Sequence, residues 1–227
     1  MKNVKLAVIV LAFTITGCKN INKTESDNGQ VVATDHQKAD IRELKTKTGK
    51  IIFLKETHPD GASLSKVQIQ TKGFVNDQIL NVGNINPVIK TELDDLDNDG
   101  FEELYIFTQS AGSGSAGEFY VYASDKDEKL VGIKTPQEPD TTISKSKDYK
   151  GHDSFFISKD TLIREFPRFK PNDKNSKPTG GTERVYYQLN DNKIGILKIE
   201  SNSAIVSGNA FIKKLQVLKR KLHLGNN

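Results

Sequence analysis

Between residues 50 and 200 the chain contains short segments in which apolar and polar residues alternate with a period of two, and short continuous apolar runs. A strand that buries one face produces this alternation, and a short continuous apolar run indicates a strand buried on both faces. The pattern therefore predicts a chain built mainly from short strands. Strands are predicted at residues 51–54, 64–71, 79–82, 104–108, 118–122, 154–158, 161–166, 184–189 and 194–199.

Clusters of Gly, Pro, Asn and Asp separate these segments, as at residues 59–61, 98–100, 179–181 and 190–192. Such residues favour tight turns, and many short strands joined by turns indicate a sandwich or barrel. The predicted fold class is therefore all-β, a mainly antiparallel β-sandwich or barrel-like fold. No fixed-period repeat that would indicate a propeller is apparent.

The last segment follows a different pattern. Phe211, Leu215, Leu218 and Leu222 recur at helical spacing, with lysines between them. This predicts a C-terminal amphipathic helix packed on the sheet. Contact of this segment with an anionic membrane or cell-wall polymer, and a terminal strand, are the alternatives.

The first residues combine basic side chains, a short apolar run and a small-residue exit, which predicts a secretory signal peptide over residues 1–17. The apolar run is shorter than the roughly 20 residues that span a bilayer. Residues 15–18, Ile-Thr-Gly-Cys, resemble the bacterial lipobox. That resemblance implies lipidation of Cys18, whereas an ordinary cleavable signal with a chance cysteine is the alternative.

Residues 18–46 are polar and predict the lipidated cysteine and a flexible tether, followed by a single β-rich domain over residues 47–227. The lipobox resemblance implies a protein of the bacterial cell envelope, held by its lipid in the membrane, and Lys19 favours the outer membrane over retention at an inner one. The 33 Lys and Arg against 29 Asp and Glu are too balanced to favour a nucleic-acid partner. The oligomeric state and periplasmic or surface exposure stay open.

An acidic stretch offers the clearest metal-binding pattern. Asp95, Asp97, Asp99 and Gly100 match D-x-D-x-D-G, in which alternate carboxylates converge on one point, and Glu103 follows at the ninth position. Three carboxylates this close repel one another unless a cation lies among them. The stretch predicts a Ca²⁺ site with a structural role, and a plain Asp/Asn/Gly hairpin turn is the alternative.

This stretch is not an EF-hand, because Ile106 stands at the twelfth position, where an EF-hand places a bidentate Glu. A predicted strand follows instead of a helix. The stretch resembles the calcium loops between strands in FG-GAP-type repeats. That resemblance implies that Glu103 completes the site and that the backbone carbonyl of Phe101 is a further ligand.

A glycine-rich segment follows the next predicted strand. Gly112, Gly114 and Gly117 match G-x-G-x-x-G, but dinucleotide binding requires a following helix, and the predicted strand 118–122 follows instead. A hydrolase nucleophile elbow around Ser115 would need glycine at position 113, which is Ser113. The segment therefore predicts a protruding loop whose backbone approaches a partner closely.

The acidic stretch 95–104 followed by Ser-Ala-Gly-Ser-Gly at 110–114 resembles the periplasmic inhibitors of invertebrate-type lysozyme, and segments 163–173 and 178–182 add to this likeness. The resemblance implies a protein partner, lysozyme, whose cleft a loop of this kind enters. The family loop carries a Tyr where this chain has Ala116, and such an aromatic is a typical interface anchor. The predicted partner-binding residues are Ser110, Gly112, Ser113, Gly114 and Ser115.

The sequence contains no constellation that indicates a reaction. The histidines His36, His58, His152 and His223 are scattered, and Cys18 is the only cysteine. The chain is therefore predicted to be a non-enzymatic, lipid-anchored envelope binding protein, similar to a lysozyme inhibitor. A calcium-stiffened structural or envelope-assembly lipoprotein is the second hypothesis, and a carbohydrate-active enzyme with paired acids is the third.

Overall fold

The computed structural model describes residues 39–136 and 147–202. These residues form twelve strands in three four-stranded antiparallel sheets, and no helix occurs among them. The predicted all-β fold is confirmed, and each of the nine predicted strands is present. The predicted C-terminal helix, the signal peptide and Cys18 lie outside the described residues.

The first sheet contains four consecutive strands paired in chain order. These are β1 (Ala39–Lys45), β2 (Ile51–Thr57), β3 (Ser65–Lys72) and β4 (Ile79–Ile85). The next four strands form the central sheet in the same order. These are β5 (Val88–Asp94), β6 (Glu103–Gln109), β7 (Gly117–Ser124) and β8 (Leu130–Ile133).

The third sheet repeats this topology with the last four strands. These are β9 (Ser154–Ile157), β10 (Leu162–Pro167), β11 (Thr182–Asn190) and β12 (Lys193–Ser201). The described chain is thus three successive meanders of four strands. The repeat is one of topology, because no fixed-period sequence pattern accompanies it.

Two hydrophobic cores lie on opposite faces of the central sheet. Leu104 and Ile106 of β6 belong to the core shared with the first sheet, and Tyr105 and Phe107 belong to the core shared with the third. All four side chains are fully buried. This explains why β6 reads as a continuous apolar run rather than an alternating one. The central sheet is therefore the middle layer of a three-layer stack.

Three of the described strands, β1, β5 and β8, were not predicted from the sequence pattern. The prediction of a tether over residues 18–46 is wrong for residues 39–45, which form β1 and pair with β2 along their whole length. β1 is an edge strand with mostly exposed side chains, so no apolar alternation marks it.

Candidate functional site

The acidic stretch forms the hairpin loop that joins β5 and β6. Asp94 and Glu103 are the last paired residues before the loop opens. The chain leaves the loop directly into a strand, as the sequence predicted, so the arrangement is not that of an EF-hand. The hairpin fixes both ends of the loop within the central sheet.

The four predicted acidic ligands converge. Asp95, Asp97, Asp99 and Glu103 each present a carboxylate oxygen, and these oxygens all lie within 4.8 Å of one another. The three aspartates come from alternate positions of the loop, and Glu103 is the first residue of β6. The set contains oxygen donors only, which is the chemistry that hard cations such as Ca²⁺ prefer.

The loop also closes on its own backbone. The carboxylate of Asp95 accepts the N–H groups of Asp99 and Gly100, each at 3.0 Å, and that of Asp99 accepts the N–H of Phe101 at 2.8 Å. Asn98 and Gly100 have positive φ, at 60° and 92°, which Asn and Gly tolerate best. These hydrogen bonds and backbone angles define the conformation of the loop. The backbone carbonyl of Phe101 remains a predicted metal ligand.

Glu103 is the buried member of the cluster, with 1% of its surface exposed. One carboxylate oxygen accepts the N–H of Leu96 and the hydroxyl of Tyr105, both at 2.9 Å. Burial nevertheless raises the pKa of Glu103 to about 7, and the nearby aspartates add to this. Burial and the charge of Asp99 also raise the pKa of Asp97. A cation at this point would relieve both effects.

A neighbouring acid has a different role. Glu102 is buried and accepts the backbone N–H of Lys47 at 2.7 Å, and its other oxygen lies 3.3 Å from the Lys47 ammonium. Lys47 belongs to the turn between β1 and β2. Glu102 therefore ties the first sheet to the acidic loop rather than joining the converging carboxylates.

The glycine–serine segment forms the loop between β6 and β7, at the opposite end of β6 from the acidic hairpin. Seven residues of strand separate the two loops, a distance of roughly 20 Å at about 3.3 Å per residue. The acidic stretch and the glycine–serine segment are therefore close in sequence but form two separate sites.

Contacts to the turn before β9 and to the loop between β10 and β11 clamp one side of the glycine–serine loop. The Gly114 carbonyl accepts the N–H of His152 at 2.6 Å, and the Ser113 carbonyl accepts the side-chain amide of Asn175 at 2.6 Å. A Cβ atom on Gly114 would lie 2.9 Å from the Lys150 carbonyl oxygen, and one on Gly151 would overlap the Gly114 carbonyl. The close backbone approach that these glycines permit therefore occurs between two segments of this chain.

Only the tip of the loop faces outward: Ala111, Gly112 and Ser113 are exposed. Ser110 and Ser115 instead hold the loop together, since the Ser110 hydroxyl accepts a backbone N–H across the loop at 2.9 Å and the Ser115 N–H donates to the Gly112 carbonyl at 2.9 Å. Of the predicted partner-binding residues, Gly112 and Ser113 are thus presented to solvent. Ala111, which the sequence did not single out, joins them.

A buried ion pair supports the base of this loop. Asp153 is 4% exposed, and its carboxylate accepts bonds from the Gly117 N–H, the Tyr149 hydroxyl and Nε of Arg164, each at 2.7 Å. Burial opposes the charge of Arg164, but the adjacent Asp153 carboxylate outweighs it and raises the Arg164 pKa. The sequence offered one signal, an arginine within the apolar strand β10.

No family model, curated protein or solved structure matches this chain. The likeness to lysozyme inhibitors therefore stays a prediction based on the motifs of the sequence. Residues 39–136 and 147–202 contain no helix long and apolar enough to cross a membrane.

Among the described residues, a serine, a histidine and an aspartate lie close together that the sequence did not predict as a group. The Ser65 hydroxyl lies 3.0 Å from Nδ1 of His58, whose Nε2 lies 3.5 Å from the Asp40 carboxylate. Ser65 is fully buried, so it does not present a nucleophile to a substrate.

Proposed function

We propose that this protein is a binding protein of the bacterial cell envelope that inserts the loop tip 111–113 into a protein partner. The observation that carries the proposal is an exposed tip of small residues held by hydrogen bonds to the loops that flank the strands of the third sheet. Because such a tip is ordered before binding, little entropy is lost when a partner captures it.

The resemblance to inhibitors of invertebrate-type lysozyme supplies the target class. Glycosidase clefts carry a pair of carboxyl groups, which accept hydrogen bonds from hydroxyl and backbone N–H donors. The exposed tip contains such donors and side chains small enough to enter a cleft. With Ala116 in place of the family tyrosine, we expect contacts outside the tip to contribute the anchoring that an aromatic side chain would give.

Envelope location rests on the lipobox-like residues 15–18 and on Cys18 as the lipidated residue. More than one acyl chain gives stable membrane attachment. Labelling cells with a radioactive fatty acid tests this part, and incorporation that persists in Cys18→Ser would contradict it.

Lysis of peptidoglycan by an invertebrate-type lysozyme tests the inhibitor function. The tip variant is Gly112→Glu, because an added Cβ atom meets no atom within 4 Å at this position. The matched control is Gly195→Glu on β12, which has the same free space and adds the same charge. Wild type and control should slow lysis, and the tip variant should not.

Two outcomes of this assay contradict different parts of the proposal. Lysis that proceeds unchanged at micromolar wild-type protein rules out this class of lysozyme as the target. Equal inhibition by Gly112→Glu and wild type would show that the tip does not enter the cleft.

A second candidate function is that of a calcium-stiffened structural lipoprotein, and the convergence of four carboxylate oxygens within 4.8 Å favours it. Calorimetric titration with Ca²⁺ should show binding to wild type and much weaker binding to Asp97→Asn. Asp60→Asn, at an exposed turn, is the control. A melting temperature that does not change with Ca²⁺ would count against this role.

A further inference from the structure

Charge is distributed unevenly between the parts of the described chain. Residues 39–136, which include the first two sheets, carry eleven Lys and Arg against sixteen Asp and Glu, a formal charge of −5. Residues 147–202, which include the third sheet, carry eleven against eight, a formal charge of +3. The loops that surround the glycine–serine tip lie in this positive part.

Four exposed lysines lie on the loops next to the tip, and we name them the lysine face: Lys150, Lys170, Lys174 and Lys177. Asn175, which lies between two of them in sequence, donates to the Ser113 carbonyl. The Lys150 ammonium lies 3.5 Å from the carbonyl of Asp173, and this contact joins the turn before β9 to the loop between β10 and β11. The lysine face therefore borders the tip itself.

The nearby acids are engaged elsewhere. The Asp173 carboxylate accepts the N–H groups of Lys170 and Thr179, each at 2.7 Å, and the Thr179 hydroxyl at 2.7 Å. Asp148 pairs with Arg168 at 3.1 Å. Across residues 39–136 and 147–202, no ion pair includes a lysine of the lysine face. The Lys150 ammonium also contacts the Asp173 carbonyl and lies 4.9 Å from the centre of the Phe169 ring, whereas Lys170, Lys174 and Lys177 are simply exposed to solvent.

We propose that the lysine face steers the tip into an acidic cleft of a protein partner. This inference rests on the proposed function and adds the chemistry of the partner. Complementary charge raises association rates far more than it lengthens the life of a complex. A protein cleft fits better than a membrane surface, because the exposed tip is only three residues long and the −5 charge of residues 39–136 repels an extended anionic surface.

Association with immobilised invertebrate-type lysozyme tests the inference. The test variant is K150Q/K170Q/K174Q/K177Q, and the matched control is K45Q/K55Q/K66Q/K72Q, which removes the same charge from exposed positions of the first sheet. At about 20 mM salt we expect the test variant to associate at least tenfold more slowly than wild type, and the control within about twofold. The difference should largely vanish at about 0.5 M salt, where charges are screened.

The outcomes separate this inference from the function on which it rests. If wild type and the test variant associate with lysozyme at equal rates, the steering role of the lysine face is overturned, and the proposed function is unaffected. Wild type that does not bind lysozyme overturns both. A parallel arm uses phosphatidylglycerol vesicles: loss of vesicle binding with unchanged lysozyme binding would assign the lysines to a membrane and overturn the inference. Should the fourfold variant fail to fold, K174Q/K177Q on the exposed loop takes its place.

Discussion

The buried carboxyl of Glu103 makes the stability of the protein depend on pH. Its pKa is raised to about 7 from 4.5, so the fold favours the protonated form. A raised folded-state pKa contributes stability below the unfolded pKa and loses it as pH rises through the folded one. Without metal ions, stability should therefore fall by about 2–3 kcal/mol between pH 5 and pH 8.

Glu103→Gln should remove most of this dependence, because the amide oxygen still accepts the Leu96 and Tyr105 donors and carries no charge. Urea unfolding in the presence of a chelator, at pH 5, 6, 7 and 8, measures the effect. Parallel pH profiles for wild type and variant would contradict the assignment of the dependence to this carboxyl.

Asp153 is the residue whose loss should be most damaging near the loop. Removing it leaves the Arg164 guanidinium, 3% exposed, without its carboxylate. Breaking one side of a buried pair costs about 3–5 kcal/mol. Asp153→Ala should lose about that much in urea unfolding, and Asp148→Ala, at a 48% exposed side chain, less than about 1 kcal/mol. Similar losses in both variants would contradict the role of the buried pair.

The contact between the glycine–serine loop and the turn before β9 depends on paired glycines. Gly151 has φ +84°, and an added Cβ would overlap the Gly114 carbonyl. Gly49 has φ +88° and free space, so Gly49→Ala isolates the cost of the backbone conformation. We expect Gly151→Ala to lose about 1–3 kcal/mol more than Gly49→Ala.

Gly151→Ala should also loosen the clamp, which hydrogen exchange can follow at the His152 amide that donates to the Gly114 carbonyl. Faster exchange of this amide is expected in Gly151→Ala only. Unchanged protection in that variant would show that the close approach does not hold the loop.

Most strands with a buried face could be predicted from alternation or, for β6, from a continuous apolar run, and the acidic hairpin could be predicted from its D-x-D-x-D-G pattern. The edge strand β1 could not, because its exposed side chains resemble those of a tether. The sequence also did not predict the clamp on Gly114, since it joins the loop between β6 and β7 to the turn before β9, far apart in the chain. The glycines of G-x-G-x-x-G indicated that the loop backbone approaches another group closely. The sequence did not show that this group is another segment of the same chain.

Strand β6 holds both candidate sites within the middle layer of the molecule. The acidic hairpin precedes it and the glycine–serine loop follows it, roughly 20 Å apart by strand length. Stacking on both faces fully buries Leu104, Tyr105, Ile106 and Phe107, so we expect the strand to act as a rigid spacer between the two loops. Sites this far apart without shared partners contribute independently to stability.

The double variant Asp97→Asn/Gly112→Glu tests this independence. Its change in the free energy of unfolding should equal the sum of the two single changes within about 0.5 kcal/mol, with and without Ca²⁺. Calcium should change the melting temperature of Gly112→Glu as much as that of wild type, because the acidic hairpin is intact there. A coupling above about 1 kcal/mol would show instead that β6 transmits changes between its ends, and that the calcium site regulates the loop.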